Sequence, residues 1–167
     1  GGNLVSCGSL SNLTALMVAR EKAYMKSSSA KSEAVRDSGL FGVSRGVIVT
    51  SNSAHYSIQK AVRILGMGDR SLVRIPVAKS DEIAEFEKSG TPLRLKPSKE
   101  DYADAIEKIQ KGTNRAESES QLVISAVPTL GTINTGTIEP IQPLVDLRNE
   151  FGFHLHVDAA IGGLALG

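Results

Sequence analysis

Short runs of β-branched and aliphatic residues recur along this chain, and each is followed by a stretch with apolar residues at helical spacing. Val47-Ile48-Val49-Thr50 precedes His55 to Leu65, where Ile58, Ala61, Val62 and Leu65 share one face and Gly66 supplies a stop. Leu72-Val73-Arg74-Ile75-Pro76 is a second strand. Ser98 with Asp101 then forms a capping box before a helix reaching Gln110. Leu122 to Val127 is a third strand, Pro140 to Glu150 is amphipathic through Ile141, Leu144, Val145 and Leu147, and Leu155-His156-Val157-Asp158 is a last strand. Strands that alternate with helices need crossover connections, and these give a mostly parallel sheet with helices on both faces. The fold class is therefore α/β. The remaining segments are less regular. Ser11 to Lys26 places Leu13, Leu16, Met17 and Arg20 at helical spacing after a Gly-Ser turn, with Ser9 or Ser11 as N-cap. Ser27 to Gly46 reads as a surface loop, and Val77 to Pro97 as a polar, irregular insertion.

Composition narrows the function. A chain of 167 residues with 41% hydrophobic residues can bury one core of ordinary size. Its start at Gly1 and its end at Gly167 in an apolar stretch read as cuts, so the expectation is a fragment. Nineteen basic residues against eighteen acidic ones call for neither nucleic acid nor an anionic membrane as partner. Cys7 is the only cysteine, which excludes an internal disulfide framework and suits a reducing, cytoplasmic setting. No apolar run approaches the roughly 18 residues of a membrane span.

Ligands of open α/β sheets bind beyond the carboxyl ends of the strands. After Val49 come Thr50 to Ser53 and His55. Thr129, Gly131, Thr132, Asn134 and Thr135 follow Val127, and Asp158, Ala159, Ala160 and the Gly162-Gly163 pair follow Val157. Gly8-Ser9 opens a helix, where free amides and the positive dipole end suit an anion, or where an ordinary cap would look the same. His55 could stack on a flat heterocycle or simply bond within its loop. Asp158 ends an apolar strand and needs a cationic or hydrogen-bonding partner, either a ligand or a structural one. Gly66-Met67-Gly68-Asp69-Arg70-Ser71 resembles a dinucleotide loop but lies between helix and strand, the reverse of the required order. His154 and His156 alternate on a strand, so a zinc or iron hydrolase is a rival reading.

Five strings occur in order: Cys7-Gly8-Ser9-Leu10-Ser11-Asn12, Ser53-Ala54-His55-Tyr56-Ser57, Thr129-Leu130-Gly131-Thr132, Thr137-Ile138-Glu139-Pro140-Ile141 and His156-Val157-Asp158-Ala159-Ala160. Together they resemble the group II pyridoxal-phosphate-dependent decarboxylases, the aromatic-amino-acid and glutamate decarboxylase family of fold-type I enzymes. The resemblance implies a partial large cofactor-binding domain over 1–167, without the N-terminal segment, the Schiff-base lysine region and the C-terminal small domain. It implies pyridoxal 5′-phosphate as cofactor, an amino acid, itself a small molecule, as substrate, with aromatic, acidic and other side chains all left open, and a homodimer. Gly8 and Ser9 would bind phosphate, His55 would stack on the ring, Asp158 would pair with the pyridine nitrogen, Ala160 would meet the opposite face, and Thr132 would border the ring. His55 and Asp158 are the catalytic candidates, and no metal is implied. No lysine here follows a histidine, so the cofactor's lysine is absent and the fragment alone is expected to be inactive. Cys7, Leu10, Ile133, Glu139, His154 and Ile161 depart from the residues usual in the family. A cysteine desulfurase-like or sphingosine-phosphate-lyase-like enzyme and an inactive regulatory homologue are the alternatives.

Overall fold

In the computed structural model, which describes residues 2–27, 35–112 and 121–166, the strands are β1 (Gly46–Ser51), β2 (Leu72–Ile75), β3 (Leu122–Val127) and β4 (His154–Leu155). The helices are α1 (Gly8–Lys26), α2 (Val35–Ser38), α3 (Ser57–Ile64), α4 (Ser80–Ser89), α5 (Lys99–Gln110) and α6 (Ile141–Phe151). All strand pairs are parallel and the sheet order is β2-β1-β3-β4. β1 is buried along its whole length because it has a strand on either side and helices on both faces.

Alternation along β1 sorts its side chains into two cores. Val47 and Val49 pack with Tyr102, Ile106 and Ile109 of α5 and Leu144 and Leu147 of α6. Ile48 packs on the other face with Leu16 and Ala19 of α1 and Ile58, Ala61 and Val62 of α3. β3 does not alternate cleanly. Its register to β1 slips between Val47 and Ile48, so Ile124 and Val127 share the α1 face although three positions separate them. The extra residue of this bulge re-aims the end of β3.

Four local expectations change. α1 begins at Gly8, and Cys7, not Ser9 or Ser11, occupies the N-cap position without a side-chain bond. Its buried face follows Asn12, Leu16 and Ala19, which leaves Met17 at 43% exposure. The 77–97 segment contains α4, whose Glu82 carboxylate accepts from the Lys79 amide at 2.6 Å and which ends at Gly90 in the left-handed region. α4 sets Ile83 and Phe86 at helical spacing but buries neither, and the polar residues around them read as a loop. In the 27–46 segment α2 buries Val35, and residues 28–34 lie outside the described residues.

Leu155 to Asp158 is not one continuous strand. The His156 amide donates to Ala126 and the Asp158 amide to Pro128, while Leu130 donates back to Asp158. The missing rung would need an N–H from Pro128, which proline lacks. The ladder resumes as an isolated Thr129–Asp158 bridge.

Gly46 sets how closely α1 can approach the start of β1. A Cβ there would stand 2.2 Å from Ile124 Cδ1 and 2.8 Å from the Tyr24 hydroxyl, which is itself bonded to the Ser44 carbonyl. Gly46→Ala should therefore destabilise the fold by about 1–3 kcal/mol, measured as a lowered urea midpoint with unchanged slope.

Candidate active site

The connections leaving β1 and β3 diverge. α3 follows β1 on the face that α1 covers, and α6 follows β3 on the opposite face. The carboxyl ends of these neighbouring strands therefore open a crevice, the switch point at which α/β sheets take ligands. A cavity of about 240 Å³ lies there. The turn after β1 lines it with His55, the loop after β3 with Thr129, and the segment after β4 with Asp158 and Ala160. The first turn of α1 contributes Gly8, Ser9 and Asn12. A Cβ at Gly8 would come within 3.3 Å of Ala160 Cβ, so glycine lets the start of α1 close against the β4 segment. The first-turn amides of a helix have no intrahelical acceptor, which gives this wall anion-binding capacity.

Asp158 is 6% exposed, and among the described residues all its side-chain bonds come from neutral donors. Asn12 Nδ2 donates to Oδ2 at 3.0 Å, and the Ala160 amide donates to Oδ1 at 3.3 Å. The other N–H of the same Asn12 amide reaches Ser57 Oγ at 2.9 Å. Asn12 Oδ1 then lies 2.8 Å from His156 Nε2, and Ser57 Oγ lies 2.9 Å from His55 Nδ1. Asn12 was not singled out in the sequence. The signal was a polar residue at the head of the buried stripe, four positions before Leu16 and seven before Ala19. Ser57, buried as the first residue of α3, was missed for the same reason.

Five of the six expected residues meet at the cavity, and Thr132 does not line it. Thr132 is buried in the turn after β3. Its hydroxyl pairs with Thr135 at 2.7 Å, Thr135 pairs with Thr137 at 2.7 Å, and the Thr137 amide donates to Thr132 Oγ1. This turn instead presents Ile133, 63% exposed, to the cavity. Ile161 lines the cavity from the β4 segment and lies over Gly131, where a Cβ would meet it at 3.4 Å. Behind this wall Glu139 is 2% exposed, and its Oε2 accepts from the Thr129 amide and from the Tyr102 hydroxyl, both at 3.0 Å. Burial, and then the Glu139 charge, push the Tyr102 phenol well above its ordinary value and keep it a donor. Thr129 Oγ1 and Glu139 Oε1 are buried without a hydrogen-bond partner among the described residues. Cys7 is exposed at the cavity rim, and the Leu10 amide is the main influence lowering its thiol pKa.

The His154–His156 pair does not form a chelate. His156 uses Nε2 for Asn12, and His154 lies beside the cations Lys22 and Arg148. No cluster of three or more potential metal ligands occurs among the described residues. Burial is the main cause holding both imidazoles below their ordinary value of 6.5; the charge of Asp158 opposes it at His156. The unfolded chain therefore takes up these protons first as pH falls. The stabilisation is complete above pH 6.5 and is lost below it, toward the folded-state values. Denaturation midpoints measured from about pH 7.5 to about pH 5 should decline, and His156→Gln, which keeps a donor for Asn12 without titrating, should flatten part of that decline.

Comparison with known proteins identifies the family. The model of the pyridoxal-dependent decarboxylase conserved domain matches residues 1–166. An L-2,4-diaminobutyrate decarboxylase of Acinetobacter baumannii is 28% identical over 97% of this chain and 29% of its own length. Cysteine sulfinic acid decarboxylase of Homo sapiens is 31% identical over 95% of this chain and 26% of its own. The crystal structure of mouse CSAD in apo form superposes with a TM-score of 0.76 at 27% identity, covering 99% of this chain and 29% of that one. The chain thus spans under a third of the length of these relatives. Over the part it does span, it belongs to the pyridoxal-dependent decarboxylase family.

Proposed function

We propose that the protein containing this chain removes the α-carboxylate of an L-amino acid as carbon dioxide, leaving an amine, with pyridoxal 5′-phosphate as cofactor. The observation that carries this reading is Asp158, a buried carboxylate on a cavity wall whose partners are all neutral. A carboxylate out of water gains most from a cation. A protonated pyridine nitrogen supplies one. In this reading the first-turn amides of α1 at Gly8 and Ser9 hold the phosphate, His55 stacks on one ring face, and Ala160 is the small contact on the other. Thr132 acts one step back, by shaping the turn that carries Ile133.

Bound there, pyridoxal phosphate supplies an electron sink for the pair left at Cα when carbon dioxide departs. The chain's own contribution is to fix the Asp158 carboxylate opposite the ring nitrogen and to hold the ring in register. The turn after β3 and the segment after β4 keep the site's shape because they touch directly: the Gly162 amide donates to the Leu130 carbonyl at 2.9 Å, and a Cβ on Gly162 would strike that oxygen at 2.5 Å. Within such an enzyme the chain would be part of the large cofactor-binding domain, with the cofactor's lysine elsewhere in the polypeptide.

The reading extends to a cytoplasmic homodimer. Ile133, Ile161 and Leu164 are exposed apolar residues on or just after the loops at the cavity, which suits a subunit interface there. No helix among the described residues is long and apolar enough to cross a membrane. Sedimentation of the full-length enzyme should give a dimer, and a fully active monomer would contradict the assembly.

The decisive comparison is between two substitutions in the full-length enzyme. Asp158→Asn keeps the shape but removes the charge, so carbon dioxide release at saturating cofactor should fall on the order of a hundredfold or more, with a smaller change in cofactor affinity. His55→Ala should lower affinity and rate together. Near wild-type turnover in Asp158→Asn would refute the role given to this carboxylate.

A further inference from the structure

We infer that Asn12 is a positioning residue of this site, because one buried carboxamide fixes the Asp158 carboxylate and, through Ser57, biases where His55 carries its proton. The inference rests on the roles proposed above for Asp158 and His55.

The direction of every bond follows from one fact. An ionised carboxylate only accepts, so the Asn12 group 3.0 Å from Asp158 Oδ2 must be the NH₂. Its second N–H then points at Ser57 Oγ. Asn12 Oδ1 must face His156, so His156 donates from Nε2 and, when neutral, leaves Nδ1 bare. Ser57 Oγ, accepting from Asn12, has its own O–H to give, and His55 Nδ1 lies 2.9 Å away; the Ser57 amide also reaches Nδ1 at 3.3 Å. His55 therefore accepts at Nδ1 and, when neutral, carries its proton on Nε2.

Position explains why this amide can serve both walls. Asn12 lies one helical turn after Gly8, on the buried face of α1, and is only 3% exposed. An apolar residue there would continue the stripe of Leu16 and Ala19. It would also leave Asp158 with the 3.3 Å Ala160 amide as its one donor and His156 Nε2 without its acceptor. A packing role alone would not need an amide.

The test uses full-length protein labelled with ¹⁵N at the histidine rings, with His55 and His156 assigned by single substitution, and in parallel a titration with pyridoxal 5′-phosphate. In the wild type both rings should show an unprotonated Nδ1 and a protonated Nε2. Asn12→Leu, similar in size, should move the His156 signals toward tautomer-averaged values. It should also weaken cofactor binding by about tenfold or more, the usual effect of losing a buried bond to a charged group. Ser57→Ala keeps the Asn12–Asp158 bond, so it should leave His156 unmoved, reduce the tautomer bias of His55 and weaken the cofactor less than Asn12→Leu does. The inference is overturned if Asn12→Leu folds with His156 signals and cofactor affinity unchanged, or if Ser57→Ala weakens the cofactor as much as Asn12→Leu. A wild-type His156 protonated on Nδ1 alone would overturn it as well. Fixed wild-type tautomers in a protein that binds no pyridoxal phosphate would instead refute the functional reading and leave the network standing.

Discussion

Asp158 ties the backbone and the side chains of this structure together. Its amide and carbonyl carry the parallel ladder past the gap at Pro128, so the end of β4 stays in register with the end of β3. Its carboxylate takes the Asn12 amide, which fastens the start of α1 to the same edge of the sheet. Burying a carboxylate without a cation is unfavourable, and neutral donors offset only part of the lost hydration. The geometry of the crevice, with the start of α1 and the segment after β4 converging, is what lets two donors, the Asn12 amide and the Ala160 N–H, reach one carboxylate.

How much of this was legible in the sequence depended on what kind of signal each element leaves. β1 and β3 are interior strands, so they appear as unbroken apolar runs and were placed within about a residue of their ends. Amphipathic α3, α5 and α6 leave a helical period because each covers one face of the sheet. α4 leaves only the short Ile83–Phe86 spacing in a polar segment and packs neither residue into the core. β4 was read too long because a proline on its neighbour, not anything in its own residues, interrupts the pairing.

The candidate site was legible as far as its cavity-facing residues and no further. Gly8, Ser9, His55, Asp158 and Ala160 stand at strand ends or a helix start, where type and position together suggest chemistry. Asn12 sits one turn into α1 and Ser57 is the buried first residue of α3, and only the tertiary packing of α1 against α3 brings their side chains within 2.9 Å. Thr132 shows the opposite case, a residue in the turn beyond a strand end that does not line the cavity. Its hydroxyl satisfies its own turn, and the neighbouring Ile133 takes the place at the cavity.

The site holds two chains of hydrogen bonds that differ in kind. Among Thr132, Thr135 and Thr137 either oxygen of each pair can be the donor, so geometry alone leaves the direction of the hydroxyl chain open. From Asp158 through Asn12 to Ser57 and the two histidines the charge at one end leaves a single order. In the turn beneath Ile133 no neighbouring charge sets the sense of donation. The wall beside Asp158 is proton-ordered. It presents a dipole field of fixed sign to whatever enters, and inverting that field requires neutralising the carboxylate itself.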